Sequence, residues 1–420
     1  MANSQDAHLP HGRPLPADGL PSHDTPETSL APDLPPPENK RFYPALNGLR
    51  AVAVLLVIFQ HYVAPYHLTL NWGWTGVDIF FVLSGFLITG ILYDTRDQAH
   101  RVRNFYMRRT LRIFPLYYAV LIGALLTTPI FHWLWNPAWV LWFCYLGNYA
   151  RFVFIHSPLF PYGAIEHLRA QPVPRSLTLQ LGHFWSLCVE EQFYLVWPMV
   201  VFTLRKRETL RNLCLASIPV LLAARIACLW LVPQIYLSAE LLYRFTPLRA
   251  DALLIGGFAA LAIRGPEAAR VLRLARFFLI ASVIGFFLWE LCYRQLGPTH
   301  TFYQPYAGDP VMTTIGYTLI DLFSAALVLN LLSLDNPLAL FFDLRPLRRL
   351  GEISYGVYVF HDMFHLVYVR FLQWMFGSRI KTGGVTATAV LALCVSILLA
   401  SLSYKYFETP FLRLKNRYAT

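Results

Sequence analysis

Residues 46–63 read LNGLRAVAVLLVIFQHYV, an almost unbroken apolar run that carries two ionisable side chains, Arg50 and His61. A helix on the surface of a soluble domain confines its apolar residues to one stripe, whereas here they fall on every side. About 20 helical residues cross a ~30 Å hydrocarbon layer, so this stretch and its continuation predict a membrane span. Working outward, the set of such stretches runs roughly over 49–67, 76–93, 112–131, 184–203, 213–233, 249–264, 276–293, 313–334, 353–374 and 386–406. The composition agrees: 56% of the 420 residues are apolar and 14% charged, against about 45–50% and about 25% in soluble domains. The expected fold class is all-α, a polytopic integral membrane protein with about ten transmembrane helices.

A further aromatic stretch at 137–150, PAWVLWFCYLGNYA, is too short to be assigned by length, so charge decides its place. Lys and Arg concentrate in cytoplasmic loops. With ten spans and both termini inside, the inner segments hold 25 of the 35 Lys and Arg residues and the outer segments eight, while Arg225 and Arg370 fall within spans. An eleventh span would invert every later loop and place the basic turn RKRETLR (205–211) outside. Residues 132–183 are therefore expected outside, with 137–150 interfacial or re-entrant. Membrane orientation thus accounts for the net charge of +11, and no nucleic-acid partner is implied.

Residues 1–41 contain no aromatic side chain and nine of the 29 prolines, a composition that cannot bury enough apolar surface to fold. They are expected as a disordered, proline-rich cytoplasmic tail. They also lack the apolar core of a signal peptide, which leaves the first span to act as the insertion signal. The expected organisation is tail 1–41, transmembrane domain 42–412 and a short basic cytoplasmic tail 413–420. The six cysteines lie singly, without C-x-x-C spacing, and read as small buried hydrophobes.

Ionisable groups at membrane depth cost ~2.5–3.5 kcal/mol each on insertion scales and are default pointers to function. Arg50 and His61 are eleven residues apart, about 20° from three full turns, so both project from one helix face about 16 Å apart. A topological anchor and an interfacial histidine are the alternative. In WGWTGVDIFFVLSGFLITGIL (72–92), Asp78 opens the second span, where the helix dipole favours a carboxylate. Ser84, Gly85, Thr89 and Gly90 permit close helix approach. The next inner turn, FYMRRTLRIFPLYY (105–118), sets Arg109 and Arg112 on one face, with planar bidentate donors suited to phosphate or serving topology alone.

The fourth span opens HFWSLCVEEQFYLVWP (183–198), with His183, Ser186, Glu190, Glu191 and Gln192 at its outer end. Adjacent positions point about 100° apart, so at most one glutamate is expected to face a given site, and Glu190 is favoured. Arg249 and Asp251 begin the sixth span, and GEISYGVYVFHDMFH (351–365) places His361, Asp362 and His365 inside the ninth. His361 and His365 have the i, i+4 spacing of metal-binding helices, but no third ligand is evident, so no metal is expected. A polar lining for a substrate tunnel is the preferred assignment for Ser84, His183, Ser186, Arg249 and His361.

In this order the blocks resemble the membrane-bound acyltransferase-3 family. They are Arg50 with His61, G-V-D-x-F-F-V-x-S-G-F (76–86), R-x-x-R (Arg109, Arg112), W-S-L-x-x-E-E-Q-F-Y-L-x-W-P (185–198), S-Y-G-x-Y-x-x-H (354–361) and E-x-P (Glu408, Pro410). The match extends from Phe42 to Leu412. The resemblance implies an enzyme that O-acylates surface or periplasmic carbohydrates, glycoconjugates or secreted small molecules. It implies ten core helices, a bacterial inner (cell) membrane location, and cytoplasmic acyl-CoA, foremost acetyl-CoA, as donor substrate with no tightly bound cofactor. It further implies that Arg109 and Arg112 hold the CoA phosphates and that His61 acts where acyl group and acceptor meet. Some relatives carry an added extracytoplasmic hydrolase-like domain, which this sequence is expected to lack.

Thioester-to-alcohol transfer needs a base for the hydroxyl and stabilisation of the oxyanion. His61 is the expected general base or acyl acceptor, Arg50 orders the donor or shapes the passage, and Asp78 or Glu190 orients the imidazole. The rival expectation is a secondary transporter or flippase, although the internal repeats typical of transporters are not evident. A non-catalytic scaffold would leave the ordered ionisable residues unexplained.

Overall fold

The computed structural model describes residues 43–64, 72–131, 139–150, 181–232, 235–295, 310–333, 335–376 and 382–418. The proline-rich segment 1–41 falls outside the described residues, as does most of 132–183. Among the described residues there is no strand, and nine helices are long and apolar enough to cross a membrane. The helices that position the site are α1 (Pro44–Tyr62), α2 (Thr75–Asp94), α3 (Arg101–Phe131), α4 (Trp185–Leu204), α5 (Arg207–Leu231), α6 (Thr246–Ala262), α7 (Ala268–Gln295), α8 (Tyr317–Asn330), α9 (Ser354–Phe360), α10 (His365–Phe376) and α11 (Thr382–Leu402). The chain is a polytopic all-α membrane protein.

Two expectations shift. The first span begins at Pro44, not near residue 49, because proline with its preset φ suits the first helical turn, and this draws Arg50 two turns into the helix. The ninth span, expected as one helix over 353–374, is interrupted: α9 ends at Phe360, residues 361–364 form a turn, and α10 starts at His365. Irregular backbone at membrane depth survives only where protein satisfies its polar groups, and here side chains do so. His361 Nδ1 donates to the Tyr358 carbonyl at 2.6 Å, His183 Nε2 to the Val359 carbonyl at 3.1 Å, and Tyr62 Oη to the His361 carbonyl at 2.6 Å. Of the stretch at 137–150, the described residues 139–150 hold the short helix Trp139–Phe143 and a single turn at Gly147–Tyr149, not a span.

The most extensive packing is between α2 and α6. Gly85 of α2 lies against the Leu253 backbone and Gly256 of α6 against the Val82 backbone, so that a Cβ at either position would strike main chain. This close approach carries a charged cluster. Asp78 (α2) pairs with Arg249 (α6), Asp251 (α6) pairs with Arg225 (α5) at 2.6 Å, and Arg225 also donates to Thr318 (α8). Asp321 of α8 joins them, and all five charged side chains are 0% exposed.

A second ionic knot closes the turn ahead of α7. Arg207 and Arg211 each donate to Glu267 Oε1 at 2.7 Å, which holds that carboxyl down at about 2 from its ordinary 4.5. A carboxyl depressed on folding stabilises above its unfolded value and loses that contribution as pH falls through the folded one. The melting temperature of the native protein in detergent is therefore expected to exceed that of Glu267→Gln by a constant margin above pH 4.5, and the gap to close as pH falls towards 2. A pH-independent gap would remove the ionic contribution.

Candidate active site

A cavity of about 330 Å³ runs between α1, α2, α3, α4 and α9. Its basic end is formed by Arg101, Arg108, Arg109 and Arg112 of α3 with Lys415, and Arg50 lies further in. Beyond the arginines stands a hydrogen-bonded group: Ser84 Oγ donates to Glu190 Oε1 at 2.6 Å and receives the Tyr194 hydroxyl at 2.9 Å, while the Arg109 guanidinium lies 5.2 Å from the Tyr194 ring. Glu190 sits within the electrostatic reach of Arg50 and Arg109. The far end of the cavity is walled by Phe80, Ser186 and Tyr358.

Behind that wall, where the ninth span is broken, four histidines gather around one carboxylate. The ring centroids of His61 and His361 are 4.9 Å apart, those of His361 and His183 are 4.7 Å apart, and His365 stacks on Tyr62 at 4.8 Å. Asp362 places one oxygen 3.3 Å from His365 Nδ1 and the other 4.0 Å from His183 Nδ1, and its charge also acts on His61 and His361. Hydrogen bonding sets the tautomers. His361 Nδ1 faces the Tyr358 carbonyl, an obligate acceptor, so in neutral His361 the lone pair is on Nε2. That nitrogen lies 3.4 Å from His61 Nδ1, which also faces the Val57 carbonyl at 2.8 Å. With acceptors on both contacts, His61 Nδ1 carries the proton and Nε2 holds the free lone pair. Among the described residues no group of three or more His, Cys, Asp or Glu side chains is arranged to hold a metal.

The sequence-level candidates therefore divide into three places. Arg50, Ser84, Arg109, Arg112, Ser186 and Glu190 line the cavity. His61, His183 and His361 form the histidine group. Asp78 and Arg249 belong to neither: they are ion-paired to each other, with Arg249 stacked 4.5 Å from the Tyr317 ring. The expectation that Asp78 or Glu190 orients the imidazole is corrected, because both are engaged elsewhere and the carboxylate beside the histidines is Asp362. The assignment of Arg249 to a substrate tunnel is corrected likewise. Glu190 and Glu191 both line the cavity, contrary to the expectation that at most one would, because the lining residues on this helix, Ser186, Leu187, Glu190, Glu191 and Tyr194, span about 140° of its circumference. Tyr358 was missed as a candidate, although its place three residues before His361 put it beside the histidines.

Residues 43–405 match the family described as Acyltransferase domain (Acyl_transf_3), and the chain belongs to it. The chain is 28% identical over 384 residues to "Peptidoglycan O-acetyltransferase OatA" of Listeria monocytogenes, covering 89% of this chain and 56% of that protein. It is 31% identical over 391 residues to "Putative peptidoglycan O-acetyltransferase YrhL" of Bacillus subtilis (89% and 55%), and 27% identical over 388 residues to "O-acetyltransferase OatA" of Staphylococcus aureus (88% and 57%). The chain thus spans little more than half the length of these relatives. No solved structure matches it.

Proposed function

We propose that this protein is an O-acetyltransferase of the bacterial cell membrane that moves an acetyl group from cytoplasmic acetyl-CoA to a hydroxyl of a carbohydrate acceptor on the other side, peptidoglycan being the acceptor named for its relatives. The observation that carries this is the cavity itself, which leads from an arginine-rich end, through Ser84 and Glu190, to a wall backed by the histidine group. Arg109 and Arg112 offer bidentate donors to the CoA phosphates, and the excess of Lys and Arg in the loops on that side supports a cytoplasmic placing.

In direct transfer, His61 Nε2 takes the proton of the acceptor hydroxyl, the oxygen bonds to the acyl carbon, the carbon–sulfur bond breaks, and the proton passes to the departing thiolate. In a two-step route the same nitrogen bonds to the acyl carbon as the carbon–sulfur bond breaks and the thiolate leaves; the acceptor oxygen then displaces the imidazole from that carbon, and the hydroxyl proton passes to the thiolate. Asp362 stabilises the imidazolium of either route, as a buried carboxylate does beside a catalytic histidine. Mass spectrometry of cell-wall glycans, lipids and secreted metabolites from a deletion strain, complemented with the wild type, tests the function. Loss and return of one acetyl ester is expected. No change in any fraction, with the protein expressed, would turn attention to transport.

Removing a hydrogen bond between charged partners costs about 1.5–3 kcal/mol, roughly tenfold to a hundredfold in affinity. Arg109→Ala and Arg112→Ala are accordingly expected to raise the KM for acetyl-CoA by about that factor with a smaller change in kcat, and lysine replacements to restore only part of the loss. An unchanged KM in both alanine variants would place the phosphates elsewhere.

A further inference from the structure

The cavity and the histidines are adjacent but not joined. Tyr358 lines the cavity on one side, while on the other its ring centroid is 5.3 Å from His361 and 5.6 Å from His183. His61 lies beyond His361. The Tyr358 hydroxyl donates to the His183 carbonyl at 2.8 Å, and since that oxygen can only accept, the 2.6 Å contact with Ser186 Oγ is a bond that Tyr358 receives. Phe80 packs edge-on against the same ring at 6.2 Å. The ring is thus buried and pinned at its tip by two hydrogen bonds.

Resting on the proposal that the cavity takes the acyl donor, we infer that Tyr358 is the specificity-determining residue for the acyl group. It stands as a partition that an acyl carbon must pass to reach His61, and its pinned ring admits the two-carbon acetyl group in preference to longer chains. The physical basis is steric. A thioester reaching from the arginines towards the histidines meets Tyr358, and the opening beside its ring is bounded by Phe80, packed against the ring, and Ser186, bonded to its hydroxyl. Each added methylene has to fit the same opening, and one methylene in a restrictive pocket is typically worth ~10- to 200-fold in discrimination. The partition also separates the acyl donor from water on the acceptor side, so its removal is expected to expose the thioester to hydrolysis.

The test uses the full-length protein in liposomes with acetyl-, propionyl- and butyryl-CoA, following thiol release and ester formation on a soluble glycan acceptor. The wild type is expected to prefer acetyl. Tyr358→Ala is expected to raise the butyryl-to-acetyl ratio of kcat/KM at least ~10-fold and to increase thiol release without acceptor. Tyr358→Phe keeps the ring but removes both hydrogen bonds that pin it, and is expected to lose part of the preference, its ratio falling between those of the wild type and Tyr358→Ala. If the alanine variant fails to fold, Tyr358→Leu and Phe80→Ala carry the same expectation. A ratio within about twofold of wild type in these folded variants would overturn the partition while leaving the acetyltransferase reading intact. Failure of the wild type to use any acyl-CoA would overturn both.

Discussion

His61→Gln and His61→Ala are expected to lower acetyl transfer by ~10²- to 10⁴-fold, the usual worth of a positioned base, with little change in melting temperature. The stability expectation follows from the surroundings: His61 is half-buried, and its shortest hydrogen bond returns to the Val57 carbonyl four residues earlier in its own helix. Asp362→Asn keeps the shape beside the histidines and removes the charge that favours imidazolium, so a smaller loss is expected, expressed in kcat. The same proteins separate the two routes. Labelled acetyl retained on the wild type and absent from His61→Gln, when acetyl-CoA is supplied without acceptor, identifies an acyl-histidine; no retention identifies direct transfer. Normal turnover by folded His61 variants would remove this residue from the chemistry.

How much of this was legible in the sequence depends on the kind of signal. Long apolar runs announce spans in a bilayer because every backbone polar group must be satisfied within the helix, and the polytopic all-α fold followed from that. The interruption at 361–364 did not, because His361, Asp362, Met363 and Phe364 include neither glycine nor proline. It is held open by His183 and Tyr62, residues 176 and 299 positions away from the carbonyls they satisfy. The same distance in sequence hid the partner of the histidines. Judged on their own helices, Asp78 and Glu190 are the eligible carboxylates, and nothing local marks Asp362 as the one that meets the histidines. Only the packing of α2 on α6 reveals that Asp78 is taken by Arg249, and only the packing of α2 on α4 reveals that Glu190 is taken by Ser84. Helical periodicity assigns a residue to a face; it does not say which neighbour that face meets.

Asp78→Asn and Arg249→Leu are expected to be the most destabilising substitutions considered, at about 3–5 kcal/mol each, because removing one partner of a buried pair strands the other charge. Total stabilities of ~5–15 kcal/mol leave little margin, so folded yield from membranes should fall sharply. The double variant is expected to recover much of the loss, giving a coupling energy well above the ~0.5 kcal/mol scatter of independent sites, read from unfolding in detergent. Asp251→Asn strands Arg225 in the same way, its partner being 2.6 Å away. Asp321→Asn should be the mildest of the aspartate changes. The cluster sets three carboxylates against two guanidiniums, and Asp321 is the one that is ion-paired to neither. These expectations also decide what Asp78 is for. If it works by locking α2 to α6, the Asp78→Asn molecules that do fold will transfer acetyl at close to the native rate per folded protein. A native yield with lost turnover would instead return Asp78 to the chemistry.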